Sequence, residues 1–463
     1  MKHSLLCRLA ALCLAPAVLA ACAPPASIEP TQTPAPPASQ ELAAEPAATQ
    51  APAAEEPAPT AEPAPTPAEQ TPAETDDPWA VDSLTLEEKV GQLFLIRPDA
   101  LDLRITQEEL DDPYADGVTE LTATMQETLA QYPVGGVVLF GKNLRNEEQI
   151  RNFTAELGRA TRVPMFIGVD EEGGTVSRLA KVESLGLPQY ESAAAVGAQG
   201  TDAVRDMSVT IGGYLKDYGF NLDFAPDADV NTNPDNPVIG TRAFSSDPDE
   251  AAASVRAAVE GFNETGVLCS LKHFPGHGDT AEDSHLGVAS TTRTLDEMRG
   301  CEFKPFAAGI EAGVPMVMVG HITAPNAVPA EEAGLPATFS HTLVTDVLRN
   351  ELGFDGLIVT DSMAMGAITE NYTAGEAALA ALEAGVDLLL MPAGLPEAFD
   401  AVVEAVETGV WPKASSMPVS SASSPPSAPP ACCKKGGSYP PDGSARAACR
   451  FALLRRAAAL HRI

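Results

Sequence analysis

The sequence predicts an α/β protein of the (β/α)8 barrel class. Eight short apolar runs alternate with Ala-rich stretches of helical spacing between residues 79 and 409. The runs are apolar or β-branched almost throughout, which suits parallel strands buried on both faces. Ionisable residues end several of the runs, as they do at the active-site mouth of a barrel. A doubly wound sheet is the structural alternative, and the eight repeats favour the barrel over it.

The repeats place each element along the chain. We expect strands at LFLI (93–96), GGVVLF (135–140), MFIGVD (165–170), FNLDFAP (220–226), VLCSLKHF (267–274), MVMVGHI (316–322), GLIVTDSM (356–363) and DLLLMP (387–392). Helical spacing predicts helices over 146–160, 202–218, 249–264, 294–312, 340–352 and 396–408. Together they predict one globular domain over residues 79–410.

The first 22 residues have the pattern of an export signal. Lys2 and Arg8 precede an apolar run over residues 9–19, and the run leads into Leu-Ala-Ala-Cys. That ending resembles the lipobox of bacterial lipoproteins, which implies cleavage before Cys22 and lipidation of its thiol. We therefore expect an exported, extracytoplasmic protein anchored to a membrane through Cys22. Ordinary secretion is the alternative.

Residues 23–78 are dominated by Ala, Pro, Glu, Thr and Gln. Such a composition cannot bury an apolar core and predicts a disordered linker. An extended Pro-rich chain rises about 3.1 Å per residue, so this linker would hold the domain far from a membrane.

The charge and cysteine content exclude several classes of protein. A formal net charge of -35 argues against a nucleic-acid partner, because a polyanion needs a basic surface. Only Cys269 and Cys301 fall within the predicted domain, and their spacing indicates neither a disulfide framework nor a zinc cluster. We expect no metal and no cofactor.

Ionisable residues mark the mouth of the predicted barrel. Asp170 ends the third run, Lys272 and His273 the fifth, His321 the sixth and Asp361 the seventh. A carboxylate such as Asp361 can attack or stabilise an oxocarbenium ion at a sugar carbon. A helix cap is the alternative role for this Asp.

The segment from Lys272 to His285, KHFPGHGDTAEDSH, concentrates proton-transfer groups in a stretch whose Gly and Pro residues favour a loop. Asp283 could fix the tautomer of His285, which could then exchange a proton near neutral pH. An Asp-x-His pair is as often a feature of a surface loop.

Five ordered motifs resemble glycoside hydrolase family 3, specifically its single-domain β-N-acetylhexosaminidases. They are DEEGGTVSR (170–178), VIGTRAF (238–244), KHFPGHGDT (272–280), DSH (283–285) and VTDSM (359–363). The resemblance implies a retaining enzyme that removes terminal N-acetylglucosamine, from peptidoglycan fragments as the expected substrate. We expect it to act as a monomer.

The resemblance also implies residue roles. Asp361 corresponds to the nucleophile, and His285, oriented by Asp283, corresponds to the acid and base. The residues that match sugar-binding positions are Asp170, Arg178, Arg242, Lys272 and His273. His277 is expected to shape the loop.

Other functions remain open at this point. Within the family they are a different β-glycosidase or an N-acetylglucosaminide phosphorylase. A barrel metallohydrolase could use His273, His277, His285 and Asp361 around zinc, and a noncatalytic sugar-binding lipoprotein would keep the barrel without the chemistry.

The composition changes abruptly over residues 411–463, where Pro, Ser, Ala and Cys dominate and basic residues outnumber acids. Members of the resembled family usually finish with a charged amphipathic helix that covers the barrel. We interpret the atypical low-complexity tail as a shift of reading frame near residue 410, with a disordered basic tail as the alternative.

Replacing residues 411–463 by a family-like amphipathic helix should raise the melting temperature, because such a helix would cover apolar surface of the barrel. Thermal unfolding of both chains measures the effect, and an unchanged melting temperature would contradict the reading-frame interpretation.

Overall fold

The computed structural model describes residues 84–112, 114–281 and 288–409, which form a closed barrel of parallel strands surrounded by helices. Its eight strands are β1 (Phe94–Ile96), β2 (Gly136–Val138), β3 (Phe166–Val169), β4 (Leu222–Asp223), β5 (Leu268–Phe274), β7 (Met316–Val319), β9 (Leu357–Thr360) and β10 (Leu389–Leu390). The predicted (β/α)8 class is confirmed, and the doubly wound alternative is wrong. The predicted signal with Cys22, the linker, the tail, Asp283 and His285 lie outside the described residues.

The strand order shows how the barrel closes. Neighbours follow the order β10-β1-β2-β3-β4-β5-β7-β9, and every pairing is parallel. A parallel bridge between Val359 and Leu388 then joins β9 to the beginning of β10. Two further strands, β6 (Ala289–Ser290) and β8 (Ile322–Thr323), pair in a separate parallel sheet formed by the segments that follow β5 and β7.

Helices connect the strands on the outside of the barrel. They are α1 (Leu86–Gly91), α2 (Gln107–Asp111), α3 (Ala123–Gln131), α4 (Glu147–Leu157), α5 (Ala193–Gly197), α6 (Thr201–Asp217), α7 (Pro248–Thr265), α8 (Leu295–Gly300), α9 (Phe303–Glu311), α10 (Gly366–Thr369), α11 (Ala374–Ala384) and α12 (Leu395–Glu407), with a π-helix at Thr342–Glu351. The single helix expected over 294–312 is two helices, because Cys301 leaves helical geometry at φ -135° and ψ -83°.

Helix α7 illustrates how local sequence sets these boundaries. The Asp247 side chain accepts hydrogen bonds from the backbone N–H groups of Asp249 and Glu250, which caps the first turn. Pro248 occupies the first turn, where its missing N–H costs nothing. Gly266 ends the helix at φ 80°, a left-handed conformation that favours glycine.

The core has two layers because side chains alternate along each strand. In β1, Leu95 belongs to the cluster inside the barrel, whereas Phe94 and Ile96 pack between the sheet and the helices. The inner cluster comprises Leu95, Val138, Phe166, Leu222, Phe224, Met316, Met318, Leu357, Val359, Leu388, Leu390 and Met391. This packed interior leaves room for a ligand only at an end of the barrel.

Across the part of the chain that the structure describes, no helix has both the length and the apolar character needed to cross a bilayer.

Phe153 tests the outer core layer. Its side chain on α4 is 1 % exposed, so Phe153→Ala should lower the free energy of unfolding by about 3–5 kcal/mol through lost burial and a cavity. Denaturant unfolding measures the change. Asn152→Ala, at an exposed position on the same helix, is the control and should change stability by less than about 0.5 kcal/mol. Equal effects of the two substitutions would contradict this packing.

Candidate active site

A cavity of about 550 Å³ opens at the carboxyl ends of the strands. Its volume suits a small-molecule ligand. The lining residues come from several strand ends: Arg97, Asp111, Val138, Phe140, Asp170, Val176, Arg178, Phe224, Val238, Arg242, Lys272, His273, His277, Met318, Asp361, Ser362, Ala364, Met365, Gly366, Leu390 and Met391. The cavity therefore lies where a (β/α)8 barrel carries its active site.

Six of the residues predicted for the site line this one cavity, namely Asp170, Arg178, Arg242, Lys272, His273 and Asp361. His321 was also expected at the mouth; it follows β7 at that end of the barrel but is not among the residues that line the cavity. Its side chain is fully buried, with Nε2 2.9 Å from the Ser362 carbonyl oxygen and Nδ1 3.0 Å from Thr338 Oγ1. His321 thus supports the residue that follows Asp361.

A buried carboxylate, Glu172, joins two cations in the cavity wall. Arg242 donates to both of its oxygens, from Nε at 2.9 Å and from Nη2 at 2.7 Å. Lys272 Nζ lies 2.8 Å from Glu172 Oε1 and donates to Asp170 Oδ1 at 2.7 Å. The bidentate geometry fixes the Arg242 guanidinium, and the shared carboxylate fixes the spacing of the two cations.

The charges in this group stabilise one another. Burial opposes ionisation of Glu172, but Lys272 and Arg242 outweigh it and hold the pKa of this carboxyl well below its ordinary value. Burial likewise opposes the charge of Lys272, yet Asp170 and Glu172 raise its pKa. At neutral pH the cavity wall therefore presents an ionised network of donors and acceptors.

A second buried network orients His273. Asp229 Oδ2 lies 2.8 Å from His273 Nδ1, so the carboxylate accepts an Nδ1–H and leaves Nε2 on the other side of the ring. Arg242 Nη2 lies 3.5 Å from that Nε2. Burial opposes the charge of Asp229, but His273 and His277 lower its pKa. Asp229 thus acts on His273 as an orienting carboxylate.

Asp227 neighbours this pair and is harder to ionise than an ordinary aspartate. Burial and the charge of Asp229 raise the pKa of Asp227 well above its ordinary value, against the attraction of Arg242. Its Oδ1 accepts the Asp229 N–H at 2.9 Å, whereas Oδ2 lies 3.8 Å from Arg242 Nη2. Repulsion between these two adjacent buried acids thus makes Asp227 the weaker acid of the pair.

Glu171 holds the loop that carries Arg178. This carboxylate is fully buried and accepts three consecutive backbone N–H bonds, from Arg178 at 2.6 Å, Leu179 at 2.8 Å and Ala180 at 3.1 Å. Tyr214 donates its hydroxyl to Glu171 Oε1 at 2.9 Å. Arg178 lines the cavity, while its buried Nε has no hydrogen-bond partner within the described residues.

The loop after β5 is packed too tightly for larger residues. A Cβ on Gly278 would lie 2.0 Å from the Val230 carbonyl oxygen, so only glycine fits there. His277 is 1 % exposed, and its Nδ1 lies 2.6 Å from Thr280 Oγ1. Burial, reinforced by His273, lowers the pKa of His277, which favours a neutral ring at this edge of the cavity.

Asp361 follows β9 and lines the same cavity. Its backbone N–H donates to the Val319 carbonyl oxygen at 2.8 Å, so the main chain is fixed by the neighbouring strand β7. The Ser362 N–H donates to Asp361 Oδ1 at 2.7 Å, which orients the carboxylate. A carboxylate held in this way can accept hydrogen bonds or attack an electrophilic carbon.

The zinc hypothesis finds little support in this geometry. Among the described side chains, one group has metal-binding distances, formed by Asp227, Asp229 and His273 within 4.8 Å of one another. It includes neither His277 nor Asp361, the described residues that the hypothesis needs beside His273. Arg242 lies 3.8 Å from Asp227 Oδ2, and its positive charge would repel a metal cation.

Sequence reasoning missed Glu171, Glu172, Asp227 and Asp229. The signal for the last two was present, since they follow the fourth apolar run just as Asp170 follows the third. Glu171 and Glu172 stand inside a recognised motif, but their partners lie up to 100 residues away in the chain. No local pattern identifies such partners.

Glu172→Gln tests the buried charge network. Removing one charge from a buried ionic group should lower the free energy of unfolding by about 3–5 kcal/mol at neutral pH. Because folding lowers the pKa of Glu172, its contribution is present above the ordinary value of 4.5 and is lost as the pH falls below it. The variant should therefore lose less stability than the wild type on acidification.

Denaturant unfolding at several pH values measures both effects. Glu260→Gln, at an exposed position on α7, is the matched control and should leave stability and its pH dependence nearly unchanged. A Glu172 variant as stable as this control would contradict the network.

Comparison with known proteins places this geometry in a family. Residues 85–418 match the sequence profile of the glycosyl hydrolase family 3 N terminal domain. Beta-hexosaminidase A of Pseudoalteromonas piscicida is 36% identical over 326 residues, which cover 67% of this chain and 54% of the relative. Beta-hexosaminidase of Stenotrophomonas maltophilia strain K279a is 37% identical over 298 residues, or 62% of this chain and 84% of the relative.

A solved structure agrees with these relatives. The glycoside hydrolase family 3 beta-N-acetylglucosaminidase of Paenibacillus sp. FPU-7 superposes with a TM-score of 0.64 at 32% identity, covering 82% of this chain and 63% of that one. The chain thus spans little more than half of one relative and under two thirds of this structure. The profile nevertheless covers most of the described barrel and its cavity. The chain belongs to glycosyl hydrolase family 3.

Proposed function

We propose that this protein is a retaining exo-β-N-acetylhexosaminidase that removes terminal N-acetylglucosamine from β-linked glycosides. The observation that carries the proposal is the single cavity lined by Asp361 and by five residues suited to sugar hydroxyls. The names of the relatives, beta-hexosaminidase and beta-N-acetylglucosaminidase, support the same activity.

The charge balance of the cavity favours a neutral, hydroxyl-rich ligand. Each of its four cationic side chains lies within 3.9 Å of a carboxylate: Arg97 near Asp111, Arg178 near Asp170, Arg242 near Glu172 and Lys272 near Asp170. Paired donors and acceptors of this kind match sugar hydroxyls, which both donate and accept. An unpaired cation, which an anionic ligand would need, is not found among these four.

In the proposed mechanism Asp361 attacks the anomeric carbon while the bond to the leaving oxygen breaks. His285, oriented by Asp283, gives its proton to that oxygen, and the sugar becomes covalently bound to Asp361. His285 then takes a proton from water, which attacks the same carbon and frees Asp361. The configuration of the anomeric carbon is inverted in each of the two steps, so it is retained overall. The role of Asp283 and His285 rests on the motif, since both lie outside the described residues.

The geometry of the cavity wall supports the proposed sugar-binding roles. Asp170 is held by Lys272 and can accept sugar hydroxyls, whereas Lys272 and Arg242 donate to sugar oxygens. Because Asp229 occupies Nδ1 of His273, a ligand would meet this ring at Nε2, which Arg242 Nη2 also approaches at 3.5 Å. The Arg178 guanidinium, which also lines the cavity, can donate to a sugar oxygen. These contacts would hold the sugar with its anomeric carbon toward Asp361.

The proposed setting of the reaction comes from the sequence. The signal and Cys22 support a lipid-anchored, extracytoplasmic enzyme, and the linker would let it reach cell-wall material. Peptidoglycan fragments with terminal N-acetylglucosamine are the natural substrates that fit this setting. We propose a monomer that works without metal or cofactor.

Release of nitrophenol from nitrophenyl N-acetyl-β-glucosaminide tests the activity. Asp361→Asn should lower kcat by more than about 10³-fold, because the variant lacks the nucleophile. His285→Ala should lower it by roughly 10²-fold through loss of proton transfer. Glu260→Gln is the surface control and should keep full activity.

Three results would contradict the proposal. Equal activity of wild type, Asp361→Asn and His285→Ala would contradict the proposed mechanism. Binding of N-acetylglucosamine without release of nitrophenol would favour a noncatalytic sugar-binding protein. Loss of activity after treatment with a chelator, restored by zinc, would favour the metallohydrolase.

A further inference from the structure

The Asp279 side chain joins separate parts of the chain through hydrogen bonds. Its Oδ1 accepts hydrogen bonds from Thr232 Oγ1 and Arg293 Nη2, each at 3.1 Å. Its Oδ2 accepts one from Thr291 Oγ1 at 3.1 Å. Burial opposes ionisation, but these partners, Arg293 above all, lower the pKa of Asp279. One ionised carboxylate thus ties the loop after β5 to the residues after β6.

The stretch before Ala281 is firmly held. Asn233 Nδ2 and Asn236 Nδ2 donate to the Thr280 carbonyl oxygen at 3.0 Å and 2.9 Å. Asn236 Nδ2 also lies 2.8 Å from the His277 carbonyl oxygen. The stretch after Val288 is held by strand pairing, in which Ala289 and Ser290 pair with β8.

Arg293 connects Asp279 to a further buried residue, Glu302. Its Nε lies 2.8 Å from Glu302 Oε1, in an ion pair whose carboxylate is 1 % exposed. Glu302 packs directly against the loop after β5, since a Cβ added to Gly276 would lie 2.6 Å from Glu302 Cγ. Asp279 and Arg293 are therefore part of the packed support of this loop.

We propose that Asp279 is a positioning residue for the proton-transfer step, acting by fixing the distance between the two ends of the segment that carries Asp283 and His285. Asp279 precedes that segment, and Thr291 and Arg293 follow it in the chain. The inference rests on the proposed function, in which His285 supplies the proton. Asp279 itself is not among the described residues that line the cavity.

The proposal predicts a dependence on the leaving group. As the bond from the anomeric carbon to the glycosidic oxygen breaks, that oxygen takes the His285 proton, and Asp361 forms the new bond to carbon. A dinitrophenolate leaves without a proton, whereas a phenolate leaves poorly unless it receives one. Displacement of the donor by about 1 Å can cost on the order of 10²-fold in rate, so poor leaving groups suffer most.

Asp279→Asn keeps the side-chain shape and removes the charge that holds Arg293 and Thr291. We expect kcat/KM for phenyl N-acetyl-β-glucosaminide to fall by about tenfold or more, and for the dinitrophenyl glycoside by less than about threefold. In a His285→Ala background, Asp279→Asn should add no further loss on the phenyl glycoside, because the two changes act on one step.

Asp387→Asn is the matched control. Asp387 is also a largely buried partner of an arginine, Arg349, and accepts the Ile358 N–H at 2.8 Å, but it precedes β10 at the other end of the barrel. It should change kcat/KM for both glycosides by the same factor. Thr291→Val removes one hydrogen bond to Asp279 and should give the same leaving-group preference on a smaller scale, even where Asp279→Asn is too unstable to assay.

Equal losses on the two glycosides in Asp279→Asn or Thr291→Val, or additive losses with His285→Ala, would overturn the positioning role. Such results leave the proposed function intact, because the wild type remains active. A wild type inactive on both glycosides would instead contradict the proposed function itself.

Discussion

The cavity depends on the compensation of buried positive charge. Lys272 and Arg242 would each be costly to bury alone, and Glu172 gives both of them one shared partner. Because that carboxylate is bound on two sides, the spacing of the two cations is fixed before any ligand arrives. Lys272 then holds Asp170, and Arg242 lies beside His273. The positions of the donors and acceptors in the cavity wall thus depend on one interior carboxylate.

Much of the fold could be predicted because each strand is buried on both faces, so that eight continuous apolar runs stand out in the sequence. The rule that functional groups follow strand ends correctly found Asp170, Lys272 and Asp361 as cavity residues. The same rule does not make His321 a cavity residue, because its side chain is fully buried against Thr338 and Ser362. A strand end fixes where a side chain begins, but the packing of later residues decides whether it remains accessible.

Two adjacent glutamates show what the sequence could not reveal. Glu171 turns away from the cavity toward Tyr214 and the backbone of residues 178–180, whereas Glu172 turns toward Lys272 and Arg242. Both belong to the same motif and have the same chemistry. Their opposite roles arise from partners that are distant in the chain, so only the folded arrangement distinguishes the residue that shapes the loop from the one that balances charge.

The closure of the barrel has a consequence for the order in which the cavity can form. Strand β9, which leads to Asp361, is flanked on one side by β7 and on the other by the bridge from Val359 to Leu388 at the start of β10. A nascent chain that has emerged only as far as β9 already contains every sugar-contacting residue proposed for the wall, yet Asp361 would stand on an open edge. The site can therefore be completed during synthesis only after β10 has been made. Until then, β9 has an unpaired edge in the region that becomes the pocket of the finished protein.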